Sequence, residues 1–279
     1  MSAITLTFIG GGNMARSLIA GLVRQGVAPA HIHVAEPVTD LREQLTADFG
    51  VKTYASATEA AAQGDVWVLA VKPQVLRDVC ASLVSLAGAR QPLVVSIAAG
   101  VTSTQLERWL GGSAAVVRAM PNTPALLGAG VTGLYATTTV SEAQRTQADT
   151  VLASAGRTVW IDDEARMDAV TAVSGSGPAY VFLLAEAMEA AAVAQGLPAE
   201  AARTLVVQTL LGASRMLDES GDAPAELRRR VTSPNGTTQA AIESFQADGF
   251  EAIVARAIDA ATRRGQALSA ANDGAPGNR

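Results

Sequence analysis

Two short stretches of this sequence carry residue types and spacings that can do chemistry. The first is "FIGGGNMA", where Gly10, Gly12 and Ala15 spell G-x-G-x-x-A. It follows a β-forming run, "ITLTFI", and opens an apolar-periodic helical pattern. A glycine turn in that position lets the main chain approach a pyrophosphate and turns a helix N-terminus toward it. Gly10 permits the tight turn, Gly12 the close approach, and Ala15 the close packing of helix on strand. The plain alternative is a structural turn. The second stretch is "VTSPNGTTQAAI". Pro234, Asn235 and Gly236 read as a turn, after which Thr237 or Thr238 begins a helix. One reading makes the threonine an N-cap. The other makes hydroxyls and uncapped N–H groups a seat for a carboxylate.

Further candidates lie where strands end. Glu36 closes the second strand, about twenty residues after the glycines, where a carboxylate can hold ribose hydroxyls and favour NAD. It can equally be a solvated loop carboxylate. Arg42 is near enough to meet a 2′-phosphate but falls in the next helical pattern. Lys72, in "LAVKPQ", follows a strand's carboxyl end and is one of only two lysines, with Lys52. It reads either as a crevice residue or as a surface lysine. "SIAAG" ends another strand with small residues beside the same crevice. His31 and His33 are the only histidines, and Cys80 is the only cysteine. No metal-ligand spacing follows from them, so no metal is expected. Cys80 reads as a buried structural thiol.

The elements that must position these residues alternate over the first 160 residues. Apolar β-branched runs ("ITLTFIG", "HIHVAEP", "DVWVLAV", "PLVVSIAAG", "AAVVRAMP", "GVTGLYATT", "RTVWID") are mostly separated by helical patterns. Strand then helix, repeated, predicts a mainly parallel, doubly wound sheet covered on both faces. After Asp162 only helical patterns appear. The expected domains are residues 1–162, an α/β nucleotide-binding domain; 163–268, an all-α domain; and 269–279, a flexible tail.

Composition narrows the partners. The chain has 279 residues, a net charge of −5, 49% hydrophobic and 17% charged residues. The acidic balance argues against nucleic acid. Mean hydropathy is +0.23, which a buried subunit interface would explain. No signal peptide is expected, because the first apolar run breaks at Gly10 and lacks a basic flank. No uninterrupted apolar stretch reads as a membrane span. The expected location is cytoplasmic.

Together, "FIGGGNMA", "LAVKPQ", "VSIAAG", "RAMPNTP", "AVSGSGPAY" and "VTSPNGTTQAAI" resemble the blocks of the pyrroline-5-carboxylate reductase family, in the family's order. The resemblance covers roughly residues 4–268. It implies a Rossmann domain followed by a helical dimerisation domain, and reduction of 1-pyrroline-5-carboxylate to L-proline by NADPH or NADH, the last step of proline biosynthesis. It implies that Gly10, Gly11, Gly12, Asn13, Met14 and Ala15 hold the pyrophosphate, with Glu36 at the ribose. Ala70, Val71, Lys72, Pro73, Ile97, Ala98 and Ala99 would line the nicotinamide end. Ser174 and Gly175 would lie by the reacting centre. Ser233, Asn235, Gly236, Thr237 and Thr238 would take the substrate, with Thr238 as the catalytic donor to the ring nitrogen. "MPNTP" would shape the pocket through its two prolines. The resemblance implies a homodimer and admits a decamer of five dimers. Relatives that prefer NADPH often carry Ser, Asn or Arg where this chain has Glu36-Pro37-Val38, which leaves the cofactor preference open. Two other readings compete. A β-hydroxyacid dehydrogenase would need a lysine on the interdomain helix, and "MDAVTAVSGSGPAYVF" has none. A non-catalytic NAD(P)-sensing protein would not need the "SPNGTT" turn.

Overall fold

The computed structural model describes residues 4–274. Eight strands form one sheet: β1 (Leu6–Ile9), β2 (Ile32–Ala35), β3 (Lys52–Tyr54), β4 (Val66–Leu69), β5 (Leu93–Ser96), β6 (Ala115–Met120), β7 (Gly130–Ala136) and β8 (Gly156–Trp160). Their order is β3-β2-β1-β4-β5-β6-β7-β8. Every pair is parallel except β6 with β7. β1, β2, β4 and β5 are buried along their whole length, as a sheet covered on both faces requires. β3 is absent from the apolar runs of the sequence because it is a three-residue edge strand, Lys-Thr-Tyr, with little to bury.

Six helices cover the two faces: α1 (Asn13–Arg24), α2 (Thr39–Phe49), α3 (Ala57–Ala61), α4 (Pro73–Arg90), α5 (Ser103–Trp109) and α6 (Glu142–Ala153). Strand alternation sorts the core into two clusters. Phe8, Val66 and Val68 pack with Leu18 and Ile19 of α1, Leu45 of α2 and Leu152 of α6. Ile9, Trp67 and Leu69 pack with Ala60 of α3, Leu76, Cys80 and Leu83 of α4, and Leu106 of α5. Burial pushes the Cys80 thiol up to about 12, so it behaves as a small apolar side chain.

The chain then becomes helical: α7 (Met167–Val170), a π-helical turn over Thr171–Gly175, α8 (Gly177–Ala194), α9 (Ala199–Glu219), α10 (Pro224–Arg230), α11 (Thr237–Ala247) and α12 (Phe250–Gly274). Contacts divide the chain into two units. One holds the residues up to Ser176 together with those from Ala260 onward; the other is Gly177–Asp259. In the second unit α8 lies against α9, and α9 against α10. Among its described residues only Ala202 and Val206 are buried.

The sheet unit runs on to Ser176, because α7 and the π turn pack with it. Two expectations meet a different structure. The tail does not begin at residue 269. Gln105 Nε2 donates to the Ser269 carbonyl at 2.9 Å, and Asn272 Nδ2 to the Gly100 carbonyl at 2.6 Å, so α12 is tied to the sheet unit there. Residues 275–279 lie outside the described residues. Finally, Glu164–Ala194 is one helical run of 31 residues with mean hydropathy 1.3, long and apolar enough to cross a membrane. The helical run passes through "SGSGP" as π turn and α8.

Candidate active site

The order of strands reverses between β1 and β4, and ligands bind at the carboxyl ends of strands where such a reversal leaves a crevice. A cleft of about 560 Å³ lies there. Gly10, Gly11, Gly12, Glu36, Ala70, Val71 and Lys72 line it, with Pro37, Val75 and Val79. Gly10 has φ +105, and a Cβ on it would stand 2.7 Å from the Ala70 carbonyl oxygen, so only glycine lets β1 turn beside β4. Gly12 faces open space and is the N-cap of α1, with no side chain closing that helix end. Asn13 and Met14 form its first turn, and Ala15 is buried beneath it. The result is a cradle with free N–H groups at a positive helix end.

Glu36 is 8% exposed and is not a solvated loop carboxylate. Its Oε2 accepts from Gly11 N–H at 3.1 Å and its Oε1 from Val38 N–H at 3.1 Å. Arg42 lies on α2 and turns back over the loop, donating to the carbonyls of Glu36 and Pro37 at 2.8 Å. Lys72 is the N-cap of α4 with Pro73 next, so a second helix starts at the cleft. Ile97 continues β5 beside β4, donating to the Leu69 carbonyl at 3.1 Å, and packs with Met14 and Ala70 on one core cluster. Ala98 is buried next to it and Ala99 is exposed. His33 is elsewhere, on β2. Its Nδ1 meets the Tyr54 hydroxyl at 2.8 Å, and burial, with Lys52 and His31 adding, lowers its pKa below 6.5. Among the described residues no three His, Cys, Asp or Glu side chains gather as metal ligands.

Ser174 and Gly175 close the π turn, where Ser176 N–H reaches back to the Thr171 carbonyl at 2.8 Å. Ser174 Oγ donates to the Val170 carbonyl at 2.9 Å. The neighbour that sequence reasoning missed is Asn122. It is the asparagine of "MPNTP", and its amide donates to the Ser174 carbonyl at 3.1 Å. Arg118 was missed too. It is 4% exposed, and its guanidinium meets Glu164 at 3.3 Å and Asp168 at 3.4 Å. An arginine inside the apolar run "AAVVRAMP" was the available signal, since a buried charge demands partners.

The "SPNGTT" stretch belongs to the helical unit. Gly236 N–H donates to the Ser233 carbonyl at 3.0 Å, and Asn235 takes a left-handed φ of +58. The N-cap of α11 is Gly236, not a threonine. Thr237 and Thr238 are the first two helical residues, and no side-chain hydrogen bond closes the end. Gln239 Oε1 instead accepts from Asn235 N–H at 2.7 Å, which holds the turn from behind. The first turn carries no acidic residue. Its open N–H groups and two hydroxyls suit an anion that also offers a hydrogen-bonding ring.

Comparison with known proteins finds relatives across both units. Residues 164–268 match the family "Pyrroline-5-carboxylate reductase dimerisation", and residues 5–100 match "NADP oxidoreductase coenzyme F420-dependent". The chain is 53% identical over 269 residues to a pyrroline-5-carboxylate reductase of Pseudomonas aeruginosa, covering 96% of this chain and 98% of the other. It is similar to the solved pyrroline-5-carboxylate reductase of Coxiella burnetii, with a TM-score of 0.93, 40% identity, and 96% and 99% of the two chains covered. It is also similar to a Plasmodium falciparum pyrroline carboxylate reductase solved with NADP bound, with a TM-score of 0.84, 29% identity, and 96% and 99% covered. Likeness of this degree over both units, and not over the nucleotide-binding half alone, makes the chain a member of the pyrroline-5-carboxylate reductase family.

Proposed function

We propose that this chain reduces 1-pyrroline-5-carboxylate to L-proline with NADPH or NADH, the last step of proline biosynthesis. The whole-length family match carries the substrate. The geometry supplies the two anion-receiving helix ends that the reaction needs, at α1 and at α11. The cradle fits a dinucleotide: Gly12 leaves open the space that a Cβ would enter, and nothing caps the helix behind it.

When bound, the reduced nicotinamide supplies the hydride that converts the substrate's C=N bond to C–N. The residues do the rest. Gly10 to Ala15 receive the pyrophosphate, Gly10 and Gly11 by the shape of the turn and Gly12 to Ala15 through the open N–H groups at the start of α1. Glu36 meets the adenosine ribose. Ala70 to Pro73 and Ile97 to Ala99 bound the nicotinamide end with small and apolar surface. Ser174 and Gly175 lie by the reacting carbon. Ser233, Asn235, Gly236 and Thr237 orient the substrate carboxylate against the α11 N-terminus. Thr238 Oγ donates a hydrogen bond to the ring nitrogen, which gains one proton as it becomes an amine. A threonine hydroxyl is a weak acid, so Thr238 positions or relays that proton. Binding and orientation provide most of the acceleration.

The exposed apolar helices form a homodimer in which the helical unit of one copy completes the site of the other. A decamer of five such dimers is a further assembly. In this reading α8, the exposed part of the apolar run at Glu164–Ala194, lies at the subunit interface and not in a membrane, and the enzyme is cytoplasmic. The test is absorbance of the reduced nicotinamide on mixing folded protein with the imine. Oxidation of either cofactor is the expected result; none with either would overturn the reading.

A further inference from the structure

Strand β6 alternates in its duties. Val117 and Ala119 point into the core cluster shared with α1 and α6. Arg118 and Met120 fall two residues apart on the other side, as strand geometry dictates, and Asn122, two residues past the end of β6, keeps the spacing in extended backbone. All three engage one stretch of chain, from Glu164 to Gly175. Arg118 pairs with Glu164 and with Asp168 in α7. Glu164 also accepts from the N–H of Ser103 at 2.6 Å and its hydroxyl at 2.5 Å, at the N-terminus of α5. The positive helix end therefore balances the second carboxylate. Met120 Cε lies 2.5 Å from where a Cβ on Gly175 would stand. Asn122 Oδ1 accepts from Val131 N–H at 3.0 Å while its Nδ2 donates to the Ser174 carbonyl. Only one orientation of the amide satisfies both.

We propose that this face of β6 is a positioning template, with Asn122 as its principal residue, that fixes the π turn carrying Ser174 and Gly175 for hydride transfer. The inference rests on the role given above to those two residues. A fold needs no buried arginine here, since buried ion pairs are weak contributors to stability compared with apolar packing. Directional bonds at three points do what apolar packing cannot: they set the height and rotation of a turn whose widened hydrogen bonding leaves it adjustable. Misplacement by about 1 Å can lower a rate about 100-fold.

The experiment compares Asn122→Ala, Asn122→Asp and Gly175→Ala in the full-length enzyme. Asn122→Asp keeps an acceptor for Val131 N–H and loses the donor to Ser174, so it isolates the one link even where Asn122→Ala folds poorly. Single-turnover hydride transfer, KM for the imine, Kd for the reduced cofactor by fluorescence, and Tm are measured. We expect kcat to fall at least about tenfold in both Asn122 variants, with cofactor Kd within about twofold and Tm of Asn122→Asp near wild type. Wild-type kcat in Asn122→Asp with a slow Gly175→Ala would overturn the template while sparing the role of the turn. Wild-type kcat in all three would overturn both.

Discussion

Trp67 in β4 is completely buried by its own chain, whereas Phe182 and Leu183 in α8 are each 66% exposed. The same contrast holds across the two units. In the sheet unit β1, β2, β4, β5 and β6 each place residues in two separate clusters, and helices from its own sequence close both. In the helical unit α8 has no buried residue at all, although its sequence is almost wholly apolar. One unit is specified by contacts within a single chain. The other is written for contacts that a second copy supplies. The proposed chemistry divides along the same line, with the glycine cradle in the sheet unit and the "SPNGTT" turn in the helical one.

The largest effect should come from attacking that contrast directly. Leu183→Asp places a charge on the exposed apolar face of α8. Each large apolar side chain buried at an interface contributes about 1.5–3 kcal/mol, and two-fold symmetry counts it twice. Sedimentation should show monomers, and activity should fall at least about 100-fold. The sheet unit should still bind reduced cofactor. Dimers with full activity would mean that the α8 face serves something else.

A smaller effect sharpens the comparison within the helical unit. Thr238→Ala should lower kcat at least about tenfold, or about 1.4 kcal/mol of transition-state stabilisation. Because Gly236 and not threonine caps α11, Tm should barely change. A cap would have shown the reverse, losing about 0.5–2 kcal/mol of stability with unchanged kcat. Thr237→Ala is the neighbouring control, since its backbone N–H remains.

The smallest effect belongs to the sheet unit. A carboxylate repels a 2′-phosphate and accepts from a 2′-hydroxyl. Glu36→Ser should therefore raise the NADPH-to-NADH ratio of kcat/KM by about three- to tenfold, or about 0.7–1.4 kcal/mol. An unchanged ratio would leave Glu36 as a brace for Gly11 and Val38 alone.

These sites were legible in the sequence to different degrees, for physical reasons. The glycine cradle was readable because each of its residues answers a local demand, such as the positive φ of Gly10. The fully buried strands were readable because they are continuous apolar runs. The "SPNGTT" turn was visible as a turn, and a threonine cap was one of two readings of it; the cap is Gly236, a type about as good as threonine at that position, so residue type alone could not place it. The Arg118, Met120 and Asn122 face was missed because its partners lie about fifty residues away and no local period announces them. The tie of Ser269 and Asn272 to the sheet unit was missed for the same reason. Small polar residues at a chain end look frayed until their distant partners are seen.

The central claim is that each active site takes its cofactor cradle from one copy and its substrate turn from the other, and subunit complementation tests it most directly. Gly10→Ala should disable the cradle, because its Cβ would meet the Ala70 carbonyl and its φ of +105 suits only glycine. Thr238→Ala disables the turn. Each homodimer alone should be nearly inactive. When the two are dissociated, mixed in equal amounts and allowed to reassociate, half the dimers are mixed, and each of these holds one site with both parts intact. The account predicts recovery of about a quarter of wild-type activity. If each site lies within a single chain, every site in the mixture carries a defect. No recovery, with mixed dimers shown to have formed, would contradict the account.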